Sequence, residues 1–239
     1  MENSENNESK ERILNASIKL FSEKGFDATR VNEIAEEAKV NKALIYYYFK
    51  SKEDILDYLV DSLFNSVTSA AMDFIHDSVV LMVGDGRLDI ERDRLHFINE
   101  EALRFFLKNA ESYYERIIDF ALEKRRIVRI ILLESLKDSK HRGDLFRFMD
   151  LTRESESNPV YKAIWDADRD FNYTEAMLVY KFFFSFMPII NFAAYFDDCK
   201  KQSNLNDRVL RSSFLRSVRA INSSFISGND ILMLDAYKE

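Results

Sequence analysis

Five glycines and two prolines are spread through 239 residues, and that scarcity limits the fold more than any single motif does. Glycine and proline are the residues that end elements and build turns. A chain with so few of them must run in long uninterrupted segments. Its apolar residues recur almost everywhere at i, i+3, i+4 and i+7, the spacing of a helix face. No alternating strand of useful length is found. The expectation is an all-α protein, and a hydrophobic fraction of 46% is ample for its core.

The helices can be placed from their apolar stripes and caps. Ile13, Ala16, Leu20 and Phe21 mark a first helix over about 9–24, with Gly25 as its left-handed cap. Thr29 reads as the N-cap of a short second helix carrying Val31, Ile34, Ala35 and Ala38. Asn41 caps a short third helix holding Ile45 and Phe49, which share one face four residues apart. Ser51 and Asp54 start a long fourth helix whose stripe runs Ile55, Leu59, Leu63, Val67, Ala71, Ile75 toward Gly84. Helices at about 89–110, 111–139 and 142–154 follow the Gly84-Asp85-Gly86 turn. Asn158-Pro159 opens another, to about Ala167. Asn172 with Glu175 starts an aromatic helix that Pro188 should kink, and a last helix spans about 206–226, stopped by Gly228.

Several function classes drop out. His76, His96 and His141 fall in separate segments without ligand spacing, and Cys199 is the lone cysteine, so no metal, cofactor or disulfide framework is expected. There is no nucleophile elbow and no phosphate loop, so the chain does not read as an enzyme. Asp166, Asp168, Asp170 and Asn172 mimic the start of a calcium loop, but Phe171 sits at the required glycine and Met177 at the required glutamate. Residues 182–196 carry no charge, yet 15 residues fall short of the about 20 that a span needs, so no membrane partner is expected. The acidic, polar start is the reverse of a signal peptide, residues 1–8 read as a disordered tail, and a cytoplasmic location fits.

What remains is a segregation of charge. The segment NKALIYYYFKSK, residues 41–52, sets three tyrosines and a phenylalanine among three lysines. Residues 39–52 hold Lys39, Lys42, Lys50 and Lys52 and no acid. Residues 9–52 hold nine basic and six acidic groups, a net +3, so with −7 overall the remainder is −10. Ile45 and Phe49 can pack inward while Lys42, Tyr46 and Tyr47 face solvent, where lysine offers charge and tyrosine a hydroxyl to phosphate. An ordinary solvated face explains the lysines equally well on charge alone. A helical adaptor without any DNA role is the alternative from another class.

The order of elements decides between them: a support helix, then two short helices joined by a tight turn. Residues 12–56, RILNASIKLFSEKGFDATRVNEIAEEAKVNKALIYYYFKSKEDIL, resemble the TetR (tetracycline-repressor) family of bacterial transcription regulators. The resemblance rests on Ala16, Leu20-Phe21, Gly25-Phe26, Ala28-Thr29, Ile34-Ala35, Val40, Tyr46 through Lys52 and Leu56. It implies a three-helix DNA-binding domain over 9–52 and a larger helical effector-binding and dimerisation domain over 53–230. By matching position, Thr29 and Arg30 would touch phosphates and Asn32 would read a base, adenine suiting its amide. Lys42, Ala43, Leu44 and Tyr46 would lie on the recognition helix, and Tyr47, Tyr48 and Lys52 would clamp the backbone. The family usually has glycine where Lys39 stands, so Lys39 must turn left-handed at a cost on the order of 1 kcal/mol. Leu44 and Tyr48 also depart from the family's usual small or hydroxylated residue and histidine.

The resemblance implies a homodimer on a palindromic operator in double-stranded DNA, a repressor released by a small-molecule effector. The aromatic-rich body suggests a mostly apolar effector, with Phe105, Tyr113, Tyr161, Trp165, Phe183 and Met187 around it and Arg104 or Asn191 as polar anchors. A charge of −10 outside residues 9–52 disfavours a strongly anionic ligand, though Arg104 could offset one carboxylate. The excess of apolar surface on the last two long helices puts the dimer interface there, with Phe214, Leu215, Val218 and Ile221 on one broad face of the last.

Overall fold

The structure, a computed structural model, describes residues 2–91 and 94–226. It is helical almost throughout and divides into two compact units. The first is Met1–Ser66 with Lys124–Leu145, and the second is Val67–Glu123 with Phe146–Glu239. The first unit is thus larger than residues 9–52, for a reason visible in its core.

In the first unit, α1 (Glu2–Lys24) packs on α2 (Val31–Ala38), α3 (Lys42–Tyr48) and α7 (Arg125–Ser135). The start of α4 (Lys52–Phe74) completes it. Ile13, Phe21, Ile34, Ile45, Ile55 and Leu56 are all essentially sealed from solvent. A three-helix head leaves part of α1 bare, and α7 covers it with the broad apolar face of Ile127, Val128, Ile130, Ile131 and Leu132. At the end of α7 the buried Glu134 is held by Lys137 Nζ at 2.6 Å, which also reaches Asp27 at 3.0 Å. Those bonds raise the lysine pKa, and the lysine holds Asp27 below the ordinary carboxylate range. Residues 2–8, expected as a disordered tail, continue α1 as helix. Nothing in ENSENNE, which lacks glycine and proline, breaks a helix.

In the second unit, α4 runs on through a π turn (Ile75–Val80) and the short α5 (Leu81–Gly84). A hairpin follows where a helix was expected. β1 (Leu88–Glu91) pairs antiparallel with β2 (Arg94–Phe97), Leu88 facing Phe97 and Ile90 facing Leu95. Leu88 and Ile90 are buried while Asp89 and Glu91 are exposed, a two-residue period that lasts only four residues. Asp168 fixes this strand by accepting the Ile90 N–H at 3.0 Å. Accordingly α6 begins at Glu100 and runs to Glu123, and the break before α7 falls at Lys124 rather than near residue 110.

A 3-10 segment (Lys140–Phe146) and α8 (Arg147–Asp150) replace the single helix expected over 142–154. Then α9 (Pro159–Ala167) begins on the Asn158 cap, as its sequence predicts. Next come α10 (Glu175–Val179), a π turn (Tyr180–Phe186) and α11 (Met187–Ala194). Thr174, not Asn172, caps α10, accepting the Met177 N–H. Pro188 is absorbed in the first turn of α11, just after the wide π turn. The last helices are α12 (Phe196–Ser203) and α13 (Asp207–Ile226), while Gly228, expected to stop the last, lies outside the described residues.

Two helical runs, Lys52–Gly84 and Glu175–Ala194, are long and apolar enough to cross a membrane by length and composition. The second reaches 20 residues because the helix extends N-terminally past Lys181, which the sequence reading took as a boundary. In the second unit α11 packs on α6, as does α13.

The α13–α6 packing revises the expected dimer face. Leu215 and Val218 are buried within the unit's own core, and Phe214 stacks on Phe192 with ring centroids 3.9 Å apart. Arg211 pairs with Asp119, and Arg219 with Glu111 and Glu115, which ties the helix down. Of the four residues Ile221 is 45% exposed and Phe214 is half-buried.

Candidate nucleic-acid interface and helical cavity

The interface is built from α2, α3 and the turn between them. Lys39 closes α2 with φ 54° and ψ 47°, the left-handed conformation expected at the position where the family prefers glycine. Its N–H bonds to Glu36 O and the Val40 N–H to Ala35 O, so the turn is fully hydrogen-bonded in spite of the strain. Asn41 then starts α3 by accepting the Leu44 N–H at 2.7 Å. At the other end of α2, Arg30 is the N-cap residue and its N–H donates to the Glu33 carboxylate at 2.9 Å.

Burial of Ile45 and Phe49 fixes which way α3 faces. With those two inward, Lys42, Ala43, Tyr46 and Tyr47 are exposed, and Tyr47 is 71% exposed. Arg30 and Asn32 are exposed on α2, and Leu44 and Tyr48 are half-buried. Tyr47 and Tyr48 meet edge to face at 5.0 Å, which orders two phenols side by side. Lys39 and Lys50, not named as contacts from the sequence, are exposed as well.

Two expected phosphate contacts are placed otherwise. Thr29 is 1% exposed, and its hydroxyl donates to Gly25 O at 2.8 Å. It is a buried brace for the α1–α2 turn, not a cap and not a surface group. The Lys52 ammonium donates to Phe26 O at 2.7 Å, Thr29 O at 3.0 Å and Asp27 O at 3.4 Å, and lies 4.3 Å from the Phe26 ring centroid. Its three protons point into the backbone of that same turn. Periodicity cannot reveal either arrangement, since both depend on carbonyls more than twenty residues away or on the turn's own path.

The second unit encloses a cavity of about 450 Å³, within the usual range for ligand sites. Of the eight residues expected around an effector, only Tyr113 lines it. Arg104 is exposed and pairs with Glu100, and Phe105 carries the Arg87 guanidinium on its ring. Tyr161 and Trp165 border a separate, shallower recess, where Arg169 covers the indole at 3.5 Å. Phe183 is 57% exposed, and neither Met187 nor Asn191 reaches the cavity wall.

The wall is apolar and aromatic, with Phe74 stacked on Tyr113 at 5.0 Å. Its polar groups are ordered by a network missed in the sequence. Tyr114 and Tyr180 both donate to Asn222 Oδ1, at 2.6 and 2.8 Å, and Tyr114 also meets the Ser185 hydroxyl at 3.2 Å. Burial pushes the Tyr114 phenol up to about 12 and raises Tyr113 too. Lys181 lines the same wall, and burial lowers its pKa from the usual lysine value.

Residues 13–59 match the family described as bacterial regulatory proteins, tetR family. The likeness runs from α1 to the first turns of α4. Among similar proteins, the uncharacterized HTH-type transcriptional regulator YerO of Bacillus subtilis is 54% identical over 50 residues, 21% of this chain and 17% of that protein. The biofilm operon icaADBC HTH-type negative transcriptional regulator IcaR of Staphylococcus aureus is 38% identical over 63 residues, 26% of this chain and 34% of that protein. The matched segment thus spans between about a sixth and about a third of these relatives. Among solved structures, the Streptomyces coelicolor protein SCO4942 overlays 89% of this chain and 97% of its own at 15% identity, with a TM-score of 0.46. The match covers the interface described above and includes none of the residues that line the cavity.

Proposed function

We propose that the chain is a DNA-binding transcriptional repressor that acts as a homodimer on a palindromic operator, works in the cytoplasm, catalyses no reaction, and is released by a small-molecule effector in the cavity of the second unit. One observation carries the reading: α3 presents Lys42, Ala43, Tyr46 and Tyr47 outward on a rigid helix whose back is locked by Ile45 and Phe49. An N-terminal TetR-family domain uses such a helix in the major groove. Lys42 and Asn32 supply base-edge hydrogen bonds, while Arg30, Tyr47, Tyr48 and the exposed Lys39 and Lys50 address phosphates. The negative regulator IcaR among the relatives supports the repressor sense.

Dimerisation follows from apolar surface that the second unit does not bury itself. Val179, Phe183 and Phe184 on the α10–α11 run are 47%, 57% and 56% exposed, and Ile221 on α13 is also exposed. A two-fold contact uses one such patch twice, so its apolar area counts double. An effector acts only through its differential affinity for DNA-competent and released states, and the cavity in the second unit is where that difference would arise.

The test is a salt series of duplex binding by fluorescence anisotropy, followed by selection of a consensus from random duplexes. A steep fall of log affinity with log salt and a palindromic consensus are expected. Weak, salt-insensitive binding would favour the helical adaptor instead.

A further inference from the structure

The cavity wall is unbalanced in charge. Among the described residues its ionisable groups, besides tyrosines, are Arg94, His96 and Lys181, and none of those lining it is an aspartate or glutamate. His96 lies 3.4 Å from Glu91 at the exposed end of the hairpin. Lys181 differs. It sits, half-buried, on the π turn between α10 and α11 and lines the same cavity as Phe74, Phe106, Phe186 and Ile226. Among the described residues no acid and no hydrogen-bond acceptor pairs with its ammonium. Tyr113, which also lines the cavity, has no hydrogen-bond partner for its hydroxyl among the described residues either.

A lone ammonium in an apolar enclosure is costly, and proteins ordinarily pair or remove it. A methionine would fill the same volume without that cost. The lowered lysine pKa shows the same penalty. A wall that keeps this cation and offers it no acid is matched by a ligand that brings one. The rest of the lining, apolar and aromatic, asks for a hydrocarbon or aryl body attached to that acid.

We propose that the cavity binds an apolar monocarboxylic acid, a fatty acid or aryl carboxylate, with its carboxylate on the Lys181 ammonium and its apolar body against Phe74, Phe106 and Ile164. This deepens, and rests on, the reading of the cavity as the effector site. It moves the anion anchor from Arg104, an exposed residue paired with Glu100, to a residue inside the cavity. It also answers the objection from net charge: the acidic surface of the body does not line this wall.

The test is calorimetric titration of the full chain with dodecanoate below its micelle concentration, 2-naphthoate, and the uncharged dodecanol. Wild-type protein should bind at least one of the two acids more tightly than dodecanol. Lys181→Met should weaken that acid about tenfold or more, leave dodecanol unchanged or tighter, and raise the thermal midpoint without ligand. Lys181→Arg should retain acid binding. Unchanged DNA affinity of ligand-free Lys181→Met would show that the variant is folded. Acids that bind no better than dodecanol, or that bind Lys181→Met as well as wild type, would overturn the proposal. The two readings fail separately. Lys181-dependent acid binding without any effect on DNA affinity would sink the effector role and keep the site. DNA binding with no acid bound would sink the site alone.

Discussion

Lys52 offers the sharpest separation between holding the reading head together and touching DNA. Its ammonium makes two good hydrogen bonds, to Phe26 O and Thr29 O, a longer one to Asp27 O, and a contact with the Phe26 ring. Hydrogen bonds from a charged donor contribute about 1.5–3 kcal/mol each when buried. The site is half-exposed, so water can rehydrate the carbonyls after truncation, and the expected cost falls well below the sum. Lys52→Met, which keeps most of the stem on Phe26, should destabilise the protein by about 2 kcal/mol. The Thr29 carbonyl carries the turn that aims α2, so the loss is structural before it is functional. Urea denaturation followed by circular dichroism reads the stability change. Anisotropy at several salt concentrations reads the DNA contact. The slope of log affinity against log salt should match wild type, since the Lys52 ammonium is already engaged by three carbonyls. A slope shallower by about 0.9, with stability unchanged, is what one lost phosphate contact gives. That result would refute the placement of Lys52 as an internal brace.

Three other outcomes test neighbouring parts of the argument. Asn32→Ala and Lys42→Ala should each relax preference at particular base pairs by about 1–3 kcal/mol, read by consensus selection, and an unchanged consensus would remove both from base reading. Lys39→Gly should stabilise by up to about 1 kcal/mol in the same denaturation assay, because glycine meets φ 54° without a Cβ clash. Any loss of stability there would mean that the lysine side chain compensates the strain. Phe183→Glu or Phe184→Glu should yield monomers in sedimentation at micromolar concentration, whereas Leu215→Glu should unfold the second unit because Leu215 is internal. Dimers that survive both phenylalanine changes would place the interface elsewhere.

The head was legible because its signals are local. Gly25 and Lys39 turn left-handed at helix ends, Asn41 caps its own helix, and Ile45 and Phe49 bury four residues apart. Each depends on neighbours within one turn of chain. Errors in the same region were long-range: Lys52 answers to carbonyls in the turn after α1, and α7 packs on α1 from more than a hundred residues downstream. In the second unit the failures have the same cause. The hairpin was missed because Leu88 and Ile90 alternate for only four residues, too few to separate from a helix stripe, and because its anchor is the side chain of Asp168. Leu215 and Val218 look like an interface in any helical projection, and only the presence of α6 shows that they are already covered. Lys181 is the most instructive case. In the sequence it bounds an uncharged aromatic run, which is what a surface lysine does. The helix in fact continues through it, and the wide π turn of Tyr180–Phe186 shifts the angular position of each later residue. Phe183 was expected inside because the body is rich in aromatics, but aromatic content does not say which face of a helix a ring takes, and it is exposed. The charge that looked like the end of an apolar segment lines the cavity, and no acid among the described residues pairs with it.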